Sequence, residues 1–221
     1  MFHPDTYIAT LTDLLKATYG DRLCYIGLQG SYLRGEATET SDIDVMVVVR
    51  DMTIADMIAY REAIASLEDF DKSCGFICGL DELQHWNPLE VCHLVHTTKD
   101  YYGVLAELVP AYTEADVRTY VQVSLGNLYH ELCHRYIHAS KEENITALPG
   151  TYKAVFFILQ NLHYVHSGCF VKTKTALLSV LSGKNAQVLE TAISLSSAAD
   201  YDFDAALSLL FTWCSETLHA L

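Results

Sequence analysis

The chain is short of positive charge. Lys and Arg number 14 against 28 Asp and Glu, a formal net charge of −14, and the pI is near 4.9. A broad nucleic-acid-binding face needs clustered Lys and Arg, so the balance argues against an extended nucleic acid as partner; metal–phosphate binding in a local pocket stays open. No apolar run reaches the ~20 residues that cross a bilayer, which argues against a membrane protein. The opening segment MFHPDTYIATL has neither the basic start nor the apolar core of a secretory signal. The seven cysteines are odd in number, scattered, and include no C-x-x-C pair. Reduced, mostly buried thiols in a cytoplasmic protein are the simplest reading. Internal repeats and low-complexity tracts are also lacking, which leaves no case for a solenoid.

What is present is a core-forming composition, 51% hydrophobic over 221 residues, enough for one large domain or two small ones. The most informative stretch is YIGLQGSYLRGEATETSDIDVMVVV, residues 25–49. It reads as strand, Gly-Ser turn, polar loop, strand. The first apolar run, Leu23 to Leu28, ends at Gln29-Gly30-Ser31; the second, Ile43 to Val49, is continuous and β-branched, as a buried strand is. Asp42 and Asp44 stand at its start, two residues apart, and i and i+2 share a strand face. Two carboxylates that close repel unless a cation lies between them. A hard divalent ion such as Mg²⁺, which takes few carboxylates and keeps positions for water and phosphate, suits such a pair. The alternative is a hairpin with a charged tip and a solvated Asp pair.

Gly30-Ser31, then eleven residues to Asp42-Ile43-Asp44, resembles the signature of the polymerase-β-like nucleotidyltransferases. Arg34-Gly35-Glu36-Ala37 and Ser41 resemble in particular the small bacterial members, including antitoxin-like minimal nucleotidyltransferases. The resemblance implies that Gly30 and Ser31 hold a nucleoside triphosphate, with ATP as the expected one. It implies that Arg34 and Ser41 assist, and that Asp42 and Asp44 bind Mg²⁺. Relatives often carry a third carboxylate on the next strand; Cys74-Gly75-Phe76-Ile77-Cys78 has none.

The rest of the first half reads as follows. Asp5–Tyr19 is expected as a helix stopped by Gly20. Thr53 is expected to cap a helix running to about Leu67, with Asp56 completing a capping box and Met57, Ile58, Ile64 and Leu67 inward. Asp81 and Glu82 begin a helical turn reaching Trp86, and Val91–Val95 is apolar enough for another strand. The Thr97–Gly103 segment resembles the one that closes the catalytic domain in antibiotic nucleotidyltransferases.

From Glu114 the period turns helical. Val117, Tyr120, Val121, Leu125, Leu128, Leu132, Tyr136 and Ile137 form one long stripe. Further helices are expected over 151–166, 173–181, 186–195 and 203–218, joined by short loops into an up-and-down bundle. The expected fold is α+β: a small mixed-sheet domain over 1–105, then an all-α bundle over 106–221. The bundle resembles the substrate domain of kanamycin- and streptomycin-type nucleotidyltransferases.

Other constellations compete for chemistry. His130-Glu131-Leu132-Cys133-His134 matches H-E-x-x-H, which on a helix could bind zinc with Glu131 as base. No glycine-bearing extension follows, and no stoichiometric zinc is expected. The resemblance offers Glu131 as the general base toward an acceptor hydroxyl; the bland alternative is an exposed Glu131–Arg135 pair. It likewise offers Lys153, and less strongly Lys172 and Lys174, as cations for the triphosphate, against their being solvated. Tyr101, Tyr102, Tyr129, Tyr136 and Tyr164 could stack on a base or a cyclic acceptor, or simply be core.

Taken together, the expected activity is Mg²⁺-dependent transfer of a nucleoside monophosphate from an NTP to a hydroxyl of an unidentified acceptor, of which an antibiotic-like small molecule is one candidate. The alternative is an antitoxin-like protein of the same fold that binds or AMPylates a protein partner.

Overall fold

Ile8, Leu11, Leu15 and Tyr19 recur at helical spacing. In the computed structural model, which describes residues 3–197 and 200–221, they line the buried face of α1 (Pro4–Tyr19). Pro4 sits in the first turn, where its missing N–H is not needed. Strand β1 (Leu23–Leu28) follows. A turn and polar loop were expected next, but Gly30–Arg34 forms a short helix, α2. Tyr32 and Leu33 explain it: a helical turn lets both pack on the cluster that holds Leu28 and Ile43.

Strand β2 (Ile43–Val49) is central. Ile43, Val45, Val47 and Val49 join the cluster with α1, while Met46 and Val48 join a second cluster with Tyr25, Leu83 and Leu105. Both faces are covered, which is why the run is apolar without alternation. Each fully buried Val, Ile or Leu here contributes about 1.5–3 kcal/mol.

Helix α3 (Ile54–Ala65) opens with the expected Thr53–Asp56 capping box. Its inward face differs from expectation. Met57 and Ile58 are 46% and 56% exposed, whereas Asp56 and Ala63 are buried, and Tyr60, Ile64 and Leu67 pack on the core. Asp56 sets that rotation, because its carboxylate is held by the Arg22 guanidinium as well as by Thr53. These bonds keep the Asp56 carboxyl well below the usual carboxylate range, the Arg22 hydrogen bond being the largest cause.

Strand β3 (Ser73–Gly79) runs parallel to β2, and β1 is antiparallel to it. Short helix α4 (Leu80–Gln84) precedes α5 (Pro88–His96). The strand expected at Val91–Val95 is thus helix. Asn87 accepts from Leu89 N at 3.2 Å and Pro88 occupies the first turn, a start signal that outweighs the apolar run. Strand β4 (Lys99–Tyr102) pairs antiparallel with β1, completing a mixed sheet of order β3-β2-β1-β4.

The chain divides into two compact units, Met1–Tyr112 and Thr113–Leu221. The second is all-helical: α6 (Glu114–His138), α7 (Lys141–Thr151), α8 (Lys153–Ser167), α9 (Lys174–Val180), α10 (Gly183–Leu195) and α11 (Phe203–Ala220). Val121, Leu125, Leu128 and Leu132 pack on Leu159, Leu162, Leu189 and Trp213. The stripe on α6 ends earlier than expected. Tyr136 and Ile137 are 65% and 71% exposed, and Leu132 is the last buried position of the stripe. Helix α7 was not expected; Leu148-Pro149-Gly150 reads as the opening of the helix that follows. A Ser140–Glu143 capping box starts α7, and Pro149 is taken up inside its final turns. Gly183 is the first residue of α10, three residues earlier than the expected start at 186. Among the described residues no helix is long and apolar enough to cross a membrane. The architecture is α+β, a mixed sheet with helices followed by a helical region.

Candidate functional site

The site begins with how β2 is anchored at its first residues. Gln29 N donates to Asp44 O at 2.8 Å, so the end of β1 is tied to the residue that carries the carboxylate. Gly30 follows at φ 67, and a Cβ there would lie 1.8 Å from Asp44 Oδ2. Only glycine lets the backbone lie against that carboxylate. Burial pushes the Asp44 carboxyl above its ordinary range and the charge of Asp42 adds to this, while Cys74 and Arg34 act in the opposite direction. Asp42 is exposed and Asp44 half-buried.

Around the pair, Arg34 Nε donates to Glu36 Oε2 at 2.9 Å, and both side chains are largely covered. Arg34 is thus a held cation, close enough to favour the charged form of Asp44. The hydroxyl of Ser41 accepts from Thr38 N at 2.8 Å, so Ser41 shapes the 38–41 turn. Ser31 lies in α2, its carbonyl accepting from Glu36 N at 2.9 Å. On β3 the register sets Cys74 opposite Asp44. Sequence reasoning looked on that strand for a carboxylate and passed over this thiol; strand pairing, which the sequence does not print, is what brings it in. His93 on α5 was also missed. Burial lowers its pKa to about 4, with Arg34 and His96 adding to the effect, so it is neutral at physiological pH.

The donor set suits a hard divalent cation. Two carboxylates two residues apart feel each other's charge, and the backbone at Gly30 leaves the Asp44 oxygen uncovered by any side chain of its own. Among the described residues no three His, Cys, Asp or Glu gather to hold a metal ion. Asp42 and Asp44 are the carboxylates here that could serve as donors to such an ion, and phosphate and water would have to complete the set.

The remaining expected residues lie in the second unit. Glu131 is exposed on α6 and accepts from Thr151 Oγ1 at 2.8 Å. Arg135 donates to Glu143 O at 3.2 Å. The rings of His130 and His134 are 6.0 Å apart, and those of His134 and His138 are 4.7 Å apart. Lys153 is the exposed first residue of α8. Lys172 is exposed, its carbonyl held by buried Gln160 at 3.2 Å. Lys174 lies over the Phe156 ring at 5.9 Å. Of the tyrosines, Tyr101 donates to Asp5 and Tyr102 lies 4.7 Å below the Lys16 ammonium. Tyr129 packs on Phe211 and Tyr164 on Phe170.

Residues 24–78 match the family model described as "Nucleotidyltransferase domain". That segment contains Gly30, Ser31, Asp42, Asp44 and Cys74. Among solved structures, the chain is similar to spectinomycin adenyltransferase AAD(9) from Enterococcus faecialis, solved with ATP and spectinomycin. Identity is 15% and the TM-score 0.59, over 98% of this chain and 100% of that one. It is also similar to a nucleotidyltransferase-like protein from Exiguobacterium sibiricum, with 13% identity and a TM-score of 0.37, over 97% of this chain and 75% of that one. No curated protein sequence matches.

Proposed function

We propose, for a chain that carries a polymerase-β-like nucleotidyltransferase domain, that it transfers a nucleoside monophosphate from an NTP, with ATP as donor, to a hydroxyl of a small-molecule acceptor. The observation that carries this reading is the Asp42–Asp44 pair, with the backbone at Gly30 pressed against Asp44, inside the segment the family model matches. Asp42 and Asp44 would hold Mg²⁺, which when bound neutralises phosphate charge and orients the triphosphate. Gly30 and Ser31 would hold the triphosphate, as the resemblance implies. Arg34, fixed by Glu36, adds positive potential at the same place without having to reorganise. The acceptor hydroxyl would attack the α-phosphorus, and pyrophosphate would leave with the electron pair of the broken P–O bond. Glu131 is assigned as the base that takes the hydroxyl proton. Lys153, with Lys172 as an auxiliary, is assigned as the cation that meets the phosphates. Both assignments rest on the resemblance of the helical half.

The full-length similarity in fold to an adenyltransferase solved with ATP and spectinomycin supports a small cyclic acceptor. One observation favours a second reading, an antitoxin-like protein that binds or AMPylates a partner: β3 offers Cys74 and no carboxylate opposite Asp44. The test is incubation with each of the four α-labelled NTPs and Mg²⁺ against a panel of aminocyclitols, aminoglycosides and lincosamides, with cell lysate in parallel. A labelled antibiotic, lost in Glu131→Gln, supports the reading. Label on protein alone, or on nothing, moves the second reading ahead.

A further inference from the structure

We infer that Gln29 is a positioning residue for the Gly30-Ser31 turn: its side-chain amide, tied to the buried Thr98 hydroxyl, holds that turn in place beside Asp44. The need for a tie comes from α2 itself. It spans only Gly30–Arg34, and its N-cap residue, Gln29, makes no side-chain capping bond. A helix of about one turn closes too few bonds to hold itself, so its place is set from outside. Gln29 supplies such bonds from both its backbone and its side chain. Its N–H donates to Asp44 O at 2.8 Å. Its Nε2 donates to Thr98 Oγ1 at 2.8 Å, 69 residues away in the chain.

The bonds at Thr98 run in one direction. Its hydroxyl has a single proton, which goes to Leu94 O on α5 at 2.6 Å. Toward Gln29 it can therefore only accept, which sets the amide with its NH2 edge facing Thr98. Met46 Sδ lies 3.9 Å from the same nitrogen. Thr98 is 8% exposed, and its methyl packs on the bare backbone of β1: a Cβ on Gly27 would lie 2.6 Å from it. The register agrees. Leu28 stands beside Lys99 in the antiparallel β1–β4 pair, so Gln29 and Thr98 are the next residues to meet. The relay Gln29–Thr98–Leu94 thus joins the turn to α5 through a buried hydroxyl, while the Gln29 backbone joins it to β2. A site tied on two sides keeps its geometry without reorganising when a ligand arrives.

This inference rests on the proposed role of Gly30 and Ser31 toward the triphosphate, and the test separates the two. Mg·ATP binding to the full chain is measured by calorimetry, with the melting temperature taken on the same samples. Gln29→Ala and Thr98→Val are each expected to weaken binding about three- to tenfold, the worth of one hydrogen bond. The double variant should bind no more weakly than the weaker single one, because both break the same tie. Thr98→Ser loses the methyl and keeps the hydroxyl, so it should melt earlier and still retain most of the affinity, which a packing role would not allow. Gln29 is only half-buried, so Gln29→Ala carries the test if Thr98→Val does not fold. Wild-type affinity in Gln29→Ala, additive losses in the double variant, or a Thr98→Ser as weak as Thr98→Val would overturn the positioning role alone. No Mg·ATP binding by the wild-type chain would overturn the nucleotidyltransferase reading, and this inference with it.

Discussion

Gly30→Ala isolates the tightest contact in the site. Two costs follow from the backbone. The first is the left-handed φ of 67, which costs an L-residue about 1–2 kcal/mol. The second is steric: the new methyl would lie 1.8 Å from Asp44 Oδ2 and 2.7 Å from Asp44 Cγ, far inside van der Waals contact, so the carboxylate must swing away or α2 must shift. Gly168→Ala is the control, because its φ is 68 with nothing within 4 Å of the added Cβ. The control should lose stability by about 1–2 kcal/mol and keep its nucleotide affinity. Gly30→Ala should lose a comparable amount and, in addition, at least tenfold in Mg·ATP affinity, or about 1.4 kcal/mol of binding. Urea unfolding and isothermal calorimetry on the same samples read both quantities. If Gly30→Ala binds Mg·ATP as tightly as Gly168→Ala, the argument that Gly30 exists to seat Asp44 is refuted.

Further outcomes are expected. His93 has a folded pKa lowered to about 4 from 6.5. The unfolded chain therefore takes up a proton first as pH falls, and stability is lost between about pH 6.5 and 4, on the order of 3 kcal/mol. His93→Gln should flatten that slope in urea titrations, and an unchanged slope would count against the assignment. Elemental analysis of purified protein should find no stoichiometric zinc, since His130 and His134 gain no third donor among the described residues; one tightly held zinc per chain would reverse the ranking of H-E-x-x-H. Tyr25→Phe removes the hydrogen bond its hydroxyl donates to Asp100 Oδ1 at 2.6 Å and should cost about 1–2 kcal/mol in stability; a neutral change would show that β4 is not held this way.

Much of the first unit was legible because its signals are local. The bounds of β1 and β2, the Thr53–Asp56 capping box and the change of period at Glu114 all follow from neighbouring residues. The errors share a cause. Whether Met57 and Ile58 face inward depends on Arg22, 34 residues away from Asp56, and no helical pattern contains that bond. Val91–Val95 has the composition of a strand, but Asn87-Pro88 starts a helix before it. At the site, Gly30 and the two aspartates were visible as a motif, while Cys74 depended on strand register. The Ser140–Glu143 capping box that starts α7 is a local pattern too, and it was passed over.

The central claim is that Asp42 and Asp44 form a cation-dependent nucleotide site. Calorimetric titration of ATP with and without Mg²⁺, on wild type and on the Asp42→Ala, Asp44→Ala double variant, tests it most directly. The account predicts that wild type binds ATP only with Mg²⁺. It predicts that the double variant loses that binding while staying folded, with stability equal or slightly higher because two crowded like charges are gone. Unchanged Mg·ATP affinity in the folded double variant would contradict the account.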